Sequence, residues 1–131
     1  MENKKYFIFR CSNNTHDECI RLGLFGQTSS MSRFVSKVKK GDILYLHNIT
    51  DRTLEGPFIA ESDGSVNIVP DAWGGGFPAQ VKVRKLENTS SISATEAMRS
   101  GLTYSYQNRY FDFQIDENIG IKLSGDLSDK I

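Results

Sequence analysis

Cysteine is scarce in this 131-residue sequence: Cys11 and Cys19 are the only two. Two thiols fall far short of a disulfide framework, and with no CxxC pair they do not supply the four ligands of a structural zinc site. The only histidines are His16, close by, and His47, inside an apolar run. The pattern therefore reads as buried thiols beside a helix-start histidine, and neither a metal nor a cofactor is expected. Long apolar runs are also missing; nothing approaches the roughly 20 residues of a membrane span. The polar start leads into only four apolar residues, Tyr6 to Phe9, too few for the apolar core of a signal peptide, so a cytoplasmic location is expected. Net charge is absent too. With 16 basic and 16 acidic residues the chain has no bulk attraction for nucleic acid or anionic lipid. No GxSxG, HExxH or phosphate-loop pattern occurs, and the Cys19–His16 pair lacks an orienting third group. Catalysis is not expected.

What is present suits one globular domain over residues 1–131. Eight Phe and five Tyr in a chain that is 38% hydrophobic can build a core without disulfides. The charge is unevenly spread. Residues 1–40 hold eight bases (Lys4, Lys5, Arg10, Arg21, Arg33, Lys37, Lys39, Lys40) against three acids (Glu2, Asp17, Glu18), which leaves the remainder at the opposite balance. A locally basic face is one consequence; plain surface solvation is the other.

Periodicity predicts a first strand over Tyr6–Arg10. Thr15-His16-Asp17-Glu18 matches a capping box, opening a helix over His16–Leu22 that stops at Gly23. A second short helix places Phe34, Val35 and Val38 inward and Lys37, Lys39 and Lys40 outward, and Gly41 ends it. Ile43–Leu46 is apolar on both faces and so is expected to be covered on both sides, with Leu54–Glu61 returning beside it. Asp63-Gly64 reads as a tight turn. Val66–Val69 is extended up to Pro70, and Asp71–Gly76 is irregular because of its three glycines. Phe77–Leu86 alternates, with Val81 and Val83 on one face and Lys82 and Arg84 on the other. A polar link over Asn88–Ser91 precedes a second capping box, Ser93 to Glu96, whose helix closes near Gly101. A last strand, Tyr110–Ile115, leads to a short helical turn capped by Asp116. The expected class is α+β, about six strands in a mixed barrel with short helices packed at its side.

Two aromatics fall outside these periodic segments. Phe25 lies in Gly23-Leu24-Phe25-Gly26 and Trp73 leads Gly74-Gly75-Gly76. A loop aromatic beside small residues can wall a pocket with its flat face; it can equally plug the end of a barrel as a core residue.

Several segments are similar, in order, to the DCD (development and cell death) family. They are Tyr6-Phe7-Ile8-Phe9-Arg10-Cys11, Leu24-Phe25-Gly26, Ile43-Leu44-Tyr45-Leu46, Leu54-Glu55-Gly56 and Tyr110-Phe111-Asp112-Phe113. Most specific is Asn67-Ile68-Val69-Pro70-Asp71-Ala72, followed by glycines and then Phe77-Pro78-Ala79-Gln80-Val81. Gln27-Thr28 stands where plant members carry Leu-Pro, and Leu44-Tyr45-Leu46-His47 replaces a Phe-rich strand. The resemblance implies a PUA-like barrel related to YTH and EVE domains. YTH domains hold a methylated adenine in an aromatic cage; plant DCD proteins are associated with stress and cell-death responses, often with a protein-binding role. By that analogy Phe25 and Trp73, with Gly74 and Gly75, form a ligand pocket. Arg33, Lys37, Lys39, Lys40, Lys82 and Arg84 are then the candidates to hold nucleic-acid phosphates. A nucleic acid, DNA or RNA and with or without a modified base, is the expected partner. A protein or peptide is the alternative.

Overall fold

The structure, a computed structural model, describes residues 4–102, 104–105 and 110–128; the polar opening Met1–Asn3 lies outside these. Its centre is a parallel pair of strands, β1 (Tyr6–Cys11) and β3 (Ile43–Asn48), running in register from Tyr6 opposite Ile43 to Cys11 opposite Asn48. Every residue of β3 is buried, as its two-faced apolar run predicts. The crossover from β1 to β3 carries α1 (Asn13–Leu22), β2 (Leu24–Gln27), a 3₁₀ turn (Ser29–Met31) and α2 (Ser32–Val35). Antiparallel β4 (Thr53–Ala60) returns along β3, and β5 (Ser65–Val66) leads to the long β6 (Ala79–Ser93). Then come α3 (Ala94–Met98), the small β7–β8 pair (Tyr104–Ser105, Tyr110–Phe111), β9 (Gln114–Ile115) and α4 (Glu117–Ser128). The sheet order is β2-β6-β4-β3-β1-β9, with β5 also on β6.

The α+β class is as expected, and "barrel" is corrected to a curled open sheet. β2 and the two-residue β9 occupy its ends without pairing to each other. Curling still brings β1 over β2, with the Phe9 and Phe25 rings 5.7 Å apart. Because alternate strand residues face opposite ways, the sheet separates two apolar layers. Phe7, Phe9, Leu44, Leu46, Phe58 and Val81 fill the concave side with Phe25, Val35 and Val38. Ile8, Tyr45, Leu54 and Ile92 fill the other, under Leu123 and Leu127 of α4.

Several local expectations shift for identifiable reasons. β6 continues through the expected polar link, Ser90 pairing with Gly56 and Ser91 with Glu55 after an irregularity between Gly56 and Phe58. Hydroxyl side chains concealed the strand; of these, Thr89 donates to the Pro57 carbonyl and Ser90 to the Leu127 carbonyl. The closing strand is split at Asp112-Phe113 into β8 and β9. α4 is a full helix rather than one turn. Its Gly120 sits under the Tyr6 ring, where an added Cβ would come within 2.3 Å, and the Gly120 carbonyl accepts from Tyr45 Oη at 2.8 Å. Asp63-Gly64 makes a close approach: a Cβ on Gly64 would meet the Val35 carbonyl at 1.9 Å. The Ser93 cap holds as expected, accepting from the Glu96 N–H at 3.1 Å. Phe34 departs most, with 42% of its surface exposed where the helical spacing put it inside.

Candidate functional site

The candidate region begins with a helix start that differs from the sequence pattern. α1 opens at Asn13 behind Ser12, and Thr15 Oγ1 accepts from the Ser12 N–H at 3.0 Å. Thr15 thus serves inside the first turn, and Glu18 is left free of capping. Its carboxylate instead accepts from the Trp73 backbone N–H at 2.7 Å, while the Trp73 indole Nε1–H donates to the Thr15 carbonyl at 3.1 Å. One turn of α1 therefore holds the tryptophan at both its backbone and its ring. Gly23 closes α1 in the left-handed conformation (φ 60°), as expected.

Trp73 needs that restraint. Its φ is 50°, a left-handed value that is a genuine outlier for a bulky residue, and Gly74 and Gly75 follow at 64° and 84°. Gly74 and Gly75 are exposed, and their left-handed conformations make the turn that carries Trp73; neither is among the residues that line the cavity beside it. The other end of the loop is pinned by Gln80, which is 1% exposed. Its Oε1 accepts from the Val69 N–H at 2.8 Å, and its Nε2 donates to the carbonyls of Val69 (3.1 Å) and Phe77 (3.0 Å). A side-chain amide so placed stands in for a missing strand partner and ties residues 69 to 77 to the sheet.

The Trp73 ring lies over Gly26, where an added Cβ would come within 2.5 Å of Trp73 Cζ3, and it meets Phe77 edge-on with centroids 5.8 Å apart. Beside it is a cavity of about 170 Å³. Arg10, Cys11, Ser12, Thr15 and Cys19 line one part and Gly26, Gln27, Thr28, Ile49, Trp73 and Phe77 the rest. Gln27 and Arg10 lock each other. Gln27 Nε2 donates to the Arg10 carbonyl at 3.0 Å and also to the Gly26 carbonyl, and Arg10 Nε donates to Gln27 Oε1 at 3.3 Å. Cys11 stays protonated, its pKa raised by the Cys19 thiol beside it, then by burial and the charges of Glu55 and Asp51. A thiol so held is a poor nucleophile.

Of the two expected ring walls, the cavity has one. Phe25 has no exposed surface: its strand register puts it opposite Val81, and its ring packs edge-on against Phe58 at 4.9 Å. It is a core residue, corrected from pocket wall, because β2 turns this position to the sheet's concave interior. Arg33, on α2, and Lys37, Lys39 and Lys40 after it are exposed, as are Lys82 and Arg84 on β6; none of the six lines the cavity. Arg84 pairs with Glu61 at 3.4 Å. Arg10, Ser12, Thr15, Gln27, Thr28, Ile49 and Phe77 were not singled out by the sequence. Polar Arg10 and Gln27 at the ends of apolar strands were the available signal.

A curled mixed sheet of this topology is the fold of YTH domains. The YTH domain of Zygosaccharomyces rouxii MRB1, solved in complex with N6-methyladenosine RNA, superposes with a TM-score of 0.68 at 13% identity, covering 97% of this chain and 88% of that one. The apo CPSF4 YTH domain of Toxoplasma superposes with a TM-score of 0.72 at 15% identity, covering 98% and 88%. At such identities the likeness is one of fold. The sequence profile of the development and cell death domain matches residues 5–124, and the chain belongs to that family. The B2 protein of Daucus carota is 37% identical over 84 residues, which is 59% of this chain and 41% of that protein. The chain thus spans less than half the length of this curated relative.

Proposed function

We propose that the chain is a non-catalytic binding module whose Trp73 cavity admits one base of a single-stranded nucleic acid, DNA or RNA, modified or not. The observation that carries this reading is a ring-sized space with Trp73 and Phe77 in its wall and polar edges. An apolar cavity of roughly 150 Å³ accommodates a benzene ring, and the space here is about 170 Å³. The Arg10 guanidinium, the remaining lone pair of Gln27 Oε1 and the hydroxyls of Ser12 and Thr28 are the polar groups at the edge of a planar guest, the Gln27 Nε2 and Thr15 hydroxyl hydrogens being engaged within the fold. Gly26 keeps the Trp73 ring face close to the strand, as a stacking platform requires. The fold likeness to the MRB1 domain, which binds N6-methyladenosine RNA, supports the same reading. One buried methyl adds only about 0.8 kcal/mol, so selectivity for a methylated base rests on cavity shape. A peptide in the same groove is the competing reading, and the zero net charge of the chain favours it.

Short labelled oligonucleotides test the proposal by fluorescence anisotropy. Losing one stacking wall is worth roughly 1–3 kcal/mol, so Trp73→Leu is expected to weaken binding about tenfold or more. Thr28→Phe, at the exposed rim, narrows the cavity without touching the core and should weaken binding comparably. Wild-type affinity for both variants sinks the pocket reading. Affinity that hardly changes with salt points to a peptide, because phosphate contacts make binding fall steeply as salt rises.

A further inference from the structure

Phe34 faces the wrong way for a core aromatic. Its neighbour Val35 is 1% exposed inside the concave layer, whereas Phe34 is 42% exposed. It is the one phenylalanine turned out to solvent. The Lys37 ammonium stands 5.6 Å from its ring centroid, an exposed cation–π contact. The sequence around it is basic: residues 19–41 contain Arg21, Arg33, Lys37, Lys39 and Lys40 and no acid. On β6, by contrast, Arg84 pairs with Glu61 and Lys85 with Glu55. Among the described residues no carboxylate forms an ion pair with Arg33, Lys37, Lys39 or Lys40. The nearby acids accept backbone N–H bonds, Asp42 from Lys5 and Lys39 and Asp63 from Lys40. Against the four cations Arg33, Lys37, Lys39 and Lys40 these two carboxylates leave a net positive patch around an exposed aromatic ring.

We infer that the Phe34 patch is a second subsite for a single strand, resting on the reading of the Trp73 cavity as a base pocket. The Phe34 ring stacks a second base, and Arg33, Lys37, Lys39 and Lys40 take the phosphates around it. Cations tracking a backbone beside a ring that accepts any base face are the physical requirements of single-strand binding. Neither an apolar peptide nor a free nucleoside uses both features. Chain continuity links the two subsites: β2 carries the cavity residues Gly26 and Gln27, the rim residue Thr28 follows, and the 3₁₀ turn and α2 come next. Phe34 is six residues beyond Thr28. Six residues span at most about 20 Å, so an oligonucleotide of about six or more stacked nucleotides reaches both subsites.

The experiment measures affinity for homopolymeric single strands of increasing length across a salt series, with four proteins. These are the wild type, Phe34→Ala, the triple variant Lys37→Gln/Lys39→Gln/Lys40→Gln, and Thr28→Phe. All the altered residues are exposed, so none should unfold the chain. Losing one stacked base should cost Phe34→Ala about tenfold in affinity for long strands and nothing for a mononucleotide. With roughly 0.7 of a counterion released per neutralised phosphate, removing three cations should flatten the log–log salt slope by about 2. Thr28→Phe should lower affinity and leave that slope unchanged. Wild-type length and salt dependence in both Phe34→Ala and the triple variant overturns the second subsite; if Thr28→Phe then remains defective, the base pocket stands alone. Conversely, a Thr28→Phe protein that binds like wild type while the other two lose affinity removes the pocket and leaves the patch. Salt-independent binding by the wild type overturns the patch as a nucleic-acid site.

Discussion

Phe25→Ala is expected to cost about 3–5 kcal/mol of unfolding free energy, the range for deleting a buried phenyl ring. The ring has no exposed surface and touches both Phe9 and Phe58, so its loss opens a void that β1, β2 and β4 cannot collapse into without breaking register. Denaturant titration reads the effect directly. Trp73→Leu should cost much less, because that ring is only partly buried and its loop remains tied by Gln80. The contrast is the useful quantity. A small loss for Phe25→Ala together with weakened ligand binding would mean that Phe25 lines the pocket after all.

Acid is expected to destabilise the domain through His47. This ring is wholly buried in β3, beside Arg10 in the register and 4.8 Å from the Phe111 ring. Burial first, and the Arg10 charge second, push its pKa down to about 4. The unfolded chain, with a histidine pKa near 6.5, takes up the proton more readily than the folded one. Stability is therefore full above about pH 6.5 and falls as pH drops toward 4, by about 3 kcal/mol for the His47 contribution alone. Denaturation midpoints measured across that window should slope less steeply in His47→Leu. Equal slopes in the variant and the wild type would assign the acid sensitivity to carboxylates instead.

The sequence was most legible where periodicity and burial agree. The two-faced run Ile43–Leu46, the alternation of Val81 and Val83, the Ser93 cap and the Gly23 stop all stand as read. It was least legible where one residue type serves two purposes. Glu18 has the spacing of a capping box, yet only tertiary structure reveals that it holds the Trp73 backbone. Gly64 looks like a turn residue, and its missing Cβ in fact admits the Val35 carbonyl. Phe25, flanked by glycines, resembled a loop aromatic; β2 is only four residues long, too short for alternation to declare itself. Trp73 stood out because a large ring followed by three glycines does not fit a long regular element, and it lies in a 3₁₀ turn over Ala72–Gly75. Its partners Arg10 and Gln27 were missed because they meet only across the curl of the sheet.

Trp73 is the chain's single tryptophan, so its emission reports on the cavity without labelling. Titrating the wild-type protein with single nucleosides and short single strands should quench or shift that emission saturably, more tightly for strands than for nucleosides, and Thr28→Phe should move saturation to about tenfold higher ligand. Emission that stays constant while binding is observed by anisotropy would contradict the account, since the ligand would then be seated away from the Trp73 wall of the cavity.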